Sequence, residues 1–155
     1  MIDVSKSMAA EDYGALSRLD KSKEALMRLL HHLPSETRVG LVTLAGASFH
    51  QADLTEDVVA LRFILEHWVK VESVPVGGSV LSHALESALD VFEGNERRKL
   101  LLFLSDGGDC EDGLVAAAHK AQQQGVTIIS VGLGGMLPTC IPRYDRDGVF
   151  EGYER

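Results

Sequence analysis

Residues 99–107 read Lys99-Leu100-Leu101-Leu102-Phe103-Leu104-Ser105-Asp106-Gly107. Five consecutive large apolar residues are too few for a membrane span or a lone amphipathic helix. Flanked by Lys99 and Ser105, they fit a strand buried on both faces, the kind found inside parallel sheets. Val126 to Gly132 (VTIISVG) is a second run of this sort. Between the two lies Gly113 to Gln124, a helical stretch closed by Gly125. Strand, helix and strand in that order are the alternation of an α/β domain.

The same alternation extends toward the N-terminus. Met1 to Val4 reads as the end of a strand, and Ser5 to Leu16 as a polar loop of small residues. Ser17-x-x-Asp20 resembles a capping box, with Leu19, Leu26, Leu29, Leu30 and Leu33 on one helical face and Pro34 as the stop. Arg38 to Ala45 reads as a buried strand and Ser48 to Leu54 as an antiparallel edge strand. Thr55 is the expected N-cap of a helix running to about Val69, with Val58, Leu61, Leu65 and Trp68 inward. A third helix carries Leu81, Leu85, Leu89 and Phe92 on one side. Near the C-terminus, Asp147-Gly148 between Ile141 and Tyr153 predicts a β-hairpin turn.

The predicted fold is a single α/β domain over residues 1–155. It is a three-layer, doubly wound, mostly parallel sheet with one antiparallel edge strand and a hairpin extension over 136–155. A first strand of about four residues is short against the usual five or six. The expectation is a domain truncated at both ends, lacking part of its first strand and its last helix.

Composition narrows the function classes. The chain has 155 residues, with 45% hydrophobic and 25% charged, which suits a globular core. A net charge of −8 disfavours a nucleic-acid surface or a polybasic membrane patch. Two cysteines, Cys110 and Cys140, make no disulfide framework.

In an open parallel sheet, ligands sit outside the carboxyl ends of the strands. Asp3, Ser5 and Ser7 leave the first strand at that end, and Asp106 leaves the strand of residues 99–105. Ser79, in the Gly77-Gly78-Ser79 loop before a helix, can reach the same edge. Two carboxylates and three hydroxyls form an oxygen-only set suited to a hard divalent cation.

Asp3-x-Ser5-x-Ser7 resembles the DxSxS signature of von Willebrand factor A-type (vWA) domains, which forms their metal-ion-dependent adhesion site. The family adds a Thr from a second loop, matched here by Ser79, and an Asp from a third, matched by Asp106. Ser in place of Thr keeps the hydroxyl and loses the stiffening β-branch. Arg18-Leu19, residues 38–42 (RVGLV), Asp53-Leu54-Thr55, and Ile141-Pro142 with Asp147-Gly148 and Phe150-x-Gly152 resemble the bacterial Bat-type (aerotolerance) membrane proteins.

The resemblance implies a Rossmann-like vWA fold and no catalysis. It also implies Mg2+, or Mn2+ or Ca2+, held by Asp3, Ser5, Ser7, Ser79 and Asp106, with a partner's Asp or Glu completing the coordination. Met8, Gly78, Gly107 and Asp109 are the expected partner-contact residues. A MoxR-type AAA ATPase or other Bat-type proteins are the partners implied. The implied parent is anchored in a bacterial inner membrane, this chain being a soluble part of it.

Competing readings are a chelatase-type subunit working with an AAA ATPase, and an Mg2+-dependent phosphatase with Asp3 as nucleophile. The phosphatase needs a second Asp two residues on as general acid, where this chain has Ser5. Other motifs have plainer explanations. Asp145-x-Asp147-Gly148 lacks the Glu that closes a calcium loop. His83-x-x-Glu86 has no matching second ligand pair for zinc. Gly132 to Gly135 is followed by no helical pattern that would make it a dinucleotide fingerprint. Trp68 and Phe92 are expected in the core, and Cys110 beside acids is a poorly activated thiol.

Overall fold

The computed structural model describes residues 1–71, 81–92, 94, 97–107, 113–135, 139–145 and 149–154. Five strands form the main sheet: β1 (Ile2–Asp3), β2 (Val39–Ala45), β3 (Ala47–Thr55), β4 (Lys99–Ser105) and β5 (Val126–Gly132). Among the described residues, four α-helices accompany them: α1 (Arg18–His32), α2 (Val58–His67), α3 (Leu81–Asp90) and α4 (Leu114–Gln123). A hairpin of β6 (Ile141–Tyr144) and β7 (Phe150–Glu154) forms a separate two-stranded sheet.

The strand order is β3-β2-β1-β4-β5. All neighbours run parallel except β3, which pairs antiparallel with β2. This is the expected mixed sheet with its antiparallel edge. Although β1 has only two residues, it lies at the centre, with Ile2 opposite Thr43 on one side and Leu104 on the other. Ile2 and Val4 are almost inaccessible, at 0% and 1% exposure. Chain order reverses between β1 and β4, the kind of switch point at whose carboxyl ends open α/β sheets take their ligands.

Alternation along the strands builds two cores. On β2, Leu41 and Ala45 pack with Ile2, Val4, Leu19, Leu30, Leu61 and Leu65, beneath α1 and α2. Val42 and Leu44 pack with Ala84, Leu85, Leu89, Leu101, Ala117 and Ala121, beneath α3 and α4. The three layers follow from this division.

The start of α1 is as read from sequence. Ser17 Oγ accepts from the Asp20 amide at 3.0 Å, and the Asp20 carboxylate accepts in return from the Ser17 amide. Ser17→Ala should cost about 1 kcal/mol. In urea titration this would appear as a lower midpoint with an unchanged slope.

Three expectations need correction. Asp57, not Thr55, caps α2: its carboxylate accepts from the Ala60 amide at 2.9 Å. Thr55 Oγ1 instead accepts from the Asp57 amide at 3.0 Å and shapes the turn before the cap. Trp68 is outside the core, 64% exposed, because α2 ends at His67 and the following turn sends Val69 inward instead. It stands edge-on to Phe63, which is itself exposed. Phe92 does pack against the core.

The third correction concerns β5, which is not buried on both faces. Val126 and Ile128 meet the core on the α3–α4 side, while Ile129 and Val131 are 46% and 40% exposed. An apolar run reports strand propensity, but burial depends on what lies above each face. The 3-10 turn over Lys6–Ala9 also replaces part of the predicted loop. The two hairpin arms are as expected, while the Asp147-Gly148 turn lies outside the described residues.

Candidate metal centre

The carboxyl ends of β1 and β4 bring the candidate side chains together. Asp3 ends the central strand and is 4% exposed. Its Oδ1 accepts from the Ser5 amide at 2.9 Å and its Oδ2 from Ser105 Oγ at 2.7 Å. Both oxygens are thereby fixed in orientation, and each retains a lone pair. Ser5 Oγ and Ser7 Oγ lie 3.1 Å apart, brought together as the chain leaves the strand and enters the 3-10 turn. Ser105 Oγ also accepts from the Gly107 amide at 3.2 Å, tying the turn after β4 to the strand end. Gly107 has φ +99°, a left-handed conformation that favours glycine.

Asp106 is central to the site. Its side chain is 4% exposed, and Oδ2 accepts from Arg18 Nη1 at 2.6 Å. Among the described residues, Asp106 Oδ1 is buried and has no hydrogen-bond partner. A buried carboxylate oxygen is costly to leave unsatisfied. A cation or an ordered water at that oxygen would remove the cost.

Arg18 was legible as part of a family signature but not as a member of this cluster. Its Nε donates to Asp12 Oδ2, whose other oxygen accepts from Thr139 Oγ1. Its Nη1 also lies 3.5 Å from the Ser7 carbonyl. The hydrogen bond from Arg18, then that from Thr139, holds the Asp12 carboxyl below the usual carboxylate range. The hydrogen bond to Asp12, joined by Asp106, raises the guanidinium further against burial. The fork geometry of Arg lets one side chain bridge two carboxylates.

Thus Asp3, Ser5, Ser7 and Asp106 share one end of the sheet, linked through Ser105, Gly107 and Arg18. Ser79, Gly78 and Asp109 lie outside the described residues, as does Cys110. Cys140 is exposed. Met8 needs correction as a partner contact: at 0% exposure it packs in the α1–α2 core. Among the described residues, no three His, Cys, Asp or Glu side chains cluster as metal ligands. Two carboxylates plus hydroxyls are a hard, oxygen-only donor set, which fits Mg2+ and Ca2+ better than zinc. Asp106 Oδ1, without a partner among the described residues, fits the same ions. His83 and Glu86 are exposed on α3, with Glu86 facing Lys120 at 3.7 Å.

A doubly wound sheet with carboxylates and hydroxyls gathered at its switch point defines a three-layer α/β domain of the vWA-like kind. The chain belongs to the von Willebrand factor type A domain family, whose profile matches residues 1–108. Comparison with curated proteins gives no match. Among solved structures, the chain is similar to a conserved hypothetical protein, BatB, from Bacteroides thetaiotaomicron. The two share 29% identity and superpose with a TM-score of 0.84 over 99% of this chain and 77% of that one. An aerotolerance-related membrane protein from Bacteroides fragilis, crystallised with multiple mutations to serines, is 28% identical. Its TM-score is 0.79 over 99% of this chain and 78% of that one. A membrane spanning protein from Vibrio fischeri is 28% identical, with a TM-score of 0.53 over 84% of this chain and 67% of that one. The expected kinship with Bat-type proteins is therefore borne out. Two of these relatives are described as membrane proteins. Among the described residues of this chain, no helix is long and apolar enough to cross a membrane.

Proposed function

We propose that this domain is a metal-dependent protein-interaction module without catalytic activity of its own. Asp3, Ser5, Ser7, Ser79 and Asp106 would hold Mg2+, with Mn2+ or Ca2+ as substitutes. Bound there, the ion supplies an electrophilic position for a carboxylate from a partner's Asp or Glu. The observation that carries this reading is Asp106 Oδ1, buried without a described partner, on a residue that Arg18 joins to the Ser7 backbone. The chain's own groups prepare the site: Ser105 and the Ser5 amide orient Asp3, and Arg18 orients Asp106.

The residue two positions on from Asp3 is Ser5, which cannot act as the general acid that a phosphatase with Asp3 as nucleophile needs. The Bat-type relatives suggest a parent protein anchored in a bacterial membrane. The partner would be a MoxR-type AAA ATPase or another Bat-type protein.

Calorimetric titration with Mg2+ and Mn2+ tests the site. The wild-type chain should bind one ion, and Ser5→Ala/Ser7→Ala together should weaken binding at least tenfold. Absence of saturable binding by the wild type at millimolar ion would overturn the metal assignment. A pull-down with each candidate partner, in Mg2+ and in EDTA, tests the mechanism. Retention that EDTA leaves unchanged would rule out coordination as the link.

A further inference from the structure

We propose that Arg18 is a cation built into the site, which competes with a divalent ion for Asp106 and so sets how tightly that ion is held. This role rests on the metal-binding reading of the same site and assigns the residue that tunes it.

The guanidinium is held from several sides. It bridges Asp106 and Asp12, whose side chains are 4% and 1% exposed, while its own is 17% exposed. It projects from the first residue of α1, directly after the Ser17 cap. Gly134 closes over it: a Cβ at that position would stand 3.6 Å from Arg18 Cζ. Thr139 fixes Asp12 from the far side. This is a located charge and not a surface side chain that happens to pass by.

Two consequences follow from the charge. Without metal, Arg18 offsets one of the two negative charges on the nearly inaccessible Asp106 and Asp12 and hydrogen-bonds to both, which lets the carboxyl edge of the sheet fold before any ion arrives. With metal, a fixed positive charge sits on the opposite oxygen of a proposed ligand and repels the incoming cation. Removing it raises the net negative charge of the cluster by one. Arg18→Met, which keeps much of the apolar stem, should therefore bind a divalent ion more tightly and depend on it more for stability.

The experiment compares wild type and Arg18→Met by calorimetric titration with Mn2+, and by thermal melts in EDTA and in Mn2+. Arg18→Met should bind Mn2+ at least ten times more tightly than wild type. It should melt lower than wild type in EDTA, and Mn2+ should close much of that gap. Equal or weaker binding by Arg18→Met overturns the role of Arg18. Binding by Arg18→Met alone supports the built-in cation and overturns a native metal in the wild type. Binding by neither overturns both. Should Arg18→Met fail to fold, nuclear magnetic resonance of the wild type decides. Added Mg2+ should then shift the Arg18 guanidinium resonances and speed their exchange with water, and unmoved resonances overturn the competition.

Discussion

Asp106→Asn should lower Mn2+ affinity at least a hundredfold, about 2.7 kcal/mol of binding free energy, while the far-ultraviolet circular dichroism stays that of the wild type. The substitution is nearly isosteric. The Asn carbonyl can still accept from Arg18 Nη1, which Asp106 Oδ2 does at 2.6 Å. The amide nitrogen then stands where Oδ1 was, the oxygen that has no described partner. An amide nitrogen carries protons and no free lone pair, so it cannot bind a hard cation. One formal negative charge is lost as well. Arg18 keeps its second anchor, Asp12, so the guanidinium is not stranded and the melting temperature should fall by only a few degrees. Unchanged Mn2+ affinity in this variant would remove Asp106 from the site.

Leu44→Ala should show the opposite profile, a large loss of stability with metal affinity little changed. Leu44 is 1% exposed and packs in the core under α3 and α4. Truncating a leucine in such a place costs about 2–5 kcal/mol, through lost transfer energy and the cavity left behind. For a chain of this size that corresponds to roughly a 5–15 °C fall in melting temperature. Its backbone pairs with Asp3, and its carbonyl accepts from the Val4 amide at 2.8 Å. Those contacts do not involve the side chain, so the carboxylate should stay in place. Equilibrium urea unfolding measures the first quantity and calorimetry the second. A loss under 1 kcal/mol would mean that the core relaxes to fill the space.

Together the two variants separate what holds the fold from what makes the site. The division reflects strand alternation. Ile2 and Val4 serve the core under α1 and α2, while Asp3 between them reaches Ser105 at the end of the neighbouring strand. Burying Asp3 at 4% exposure is tolerable because two donors satisfy it.

Much of this was legible in the residues themselves. The runs at 99–105 and 126–132 are the observed β4 and β5, and Ser17 with Asp20 forms the capping box. These are local features, set by apolar runs and by hydrogen bonds that span three residues. Where reading failed, a local rule met a nonlocal fact. Trp68 has the right helical spacing for the core, but the helix stops one residue too early. Thr55 is a good cap by type, yet Asp57 stands where the helix begins.

Sequence by itself determined the alternation of strands and helices, and it placed Asp3, Ser5, Ser7 and Asp106 at the ends of strands. Only the tertiary structure decided which of those ends meet. The short β1 lies between β2 and β4, so Asp3 reaches Ser105 across 102 positions. Docking of α1 brings Arg18 to Asp106 across 88 positions. Periodicity encodes which side of an element is apolar. It carries no term for the partner that a charged side chain meets after packing, because that depends on strand order and helix placement together.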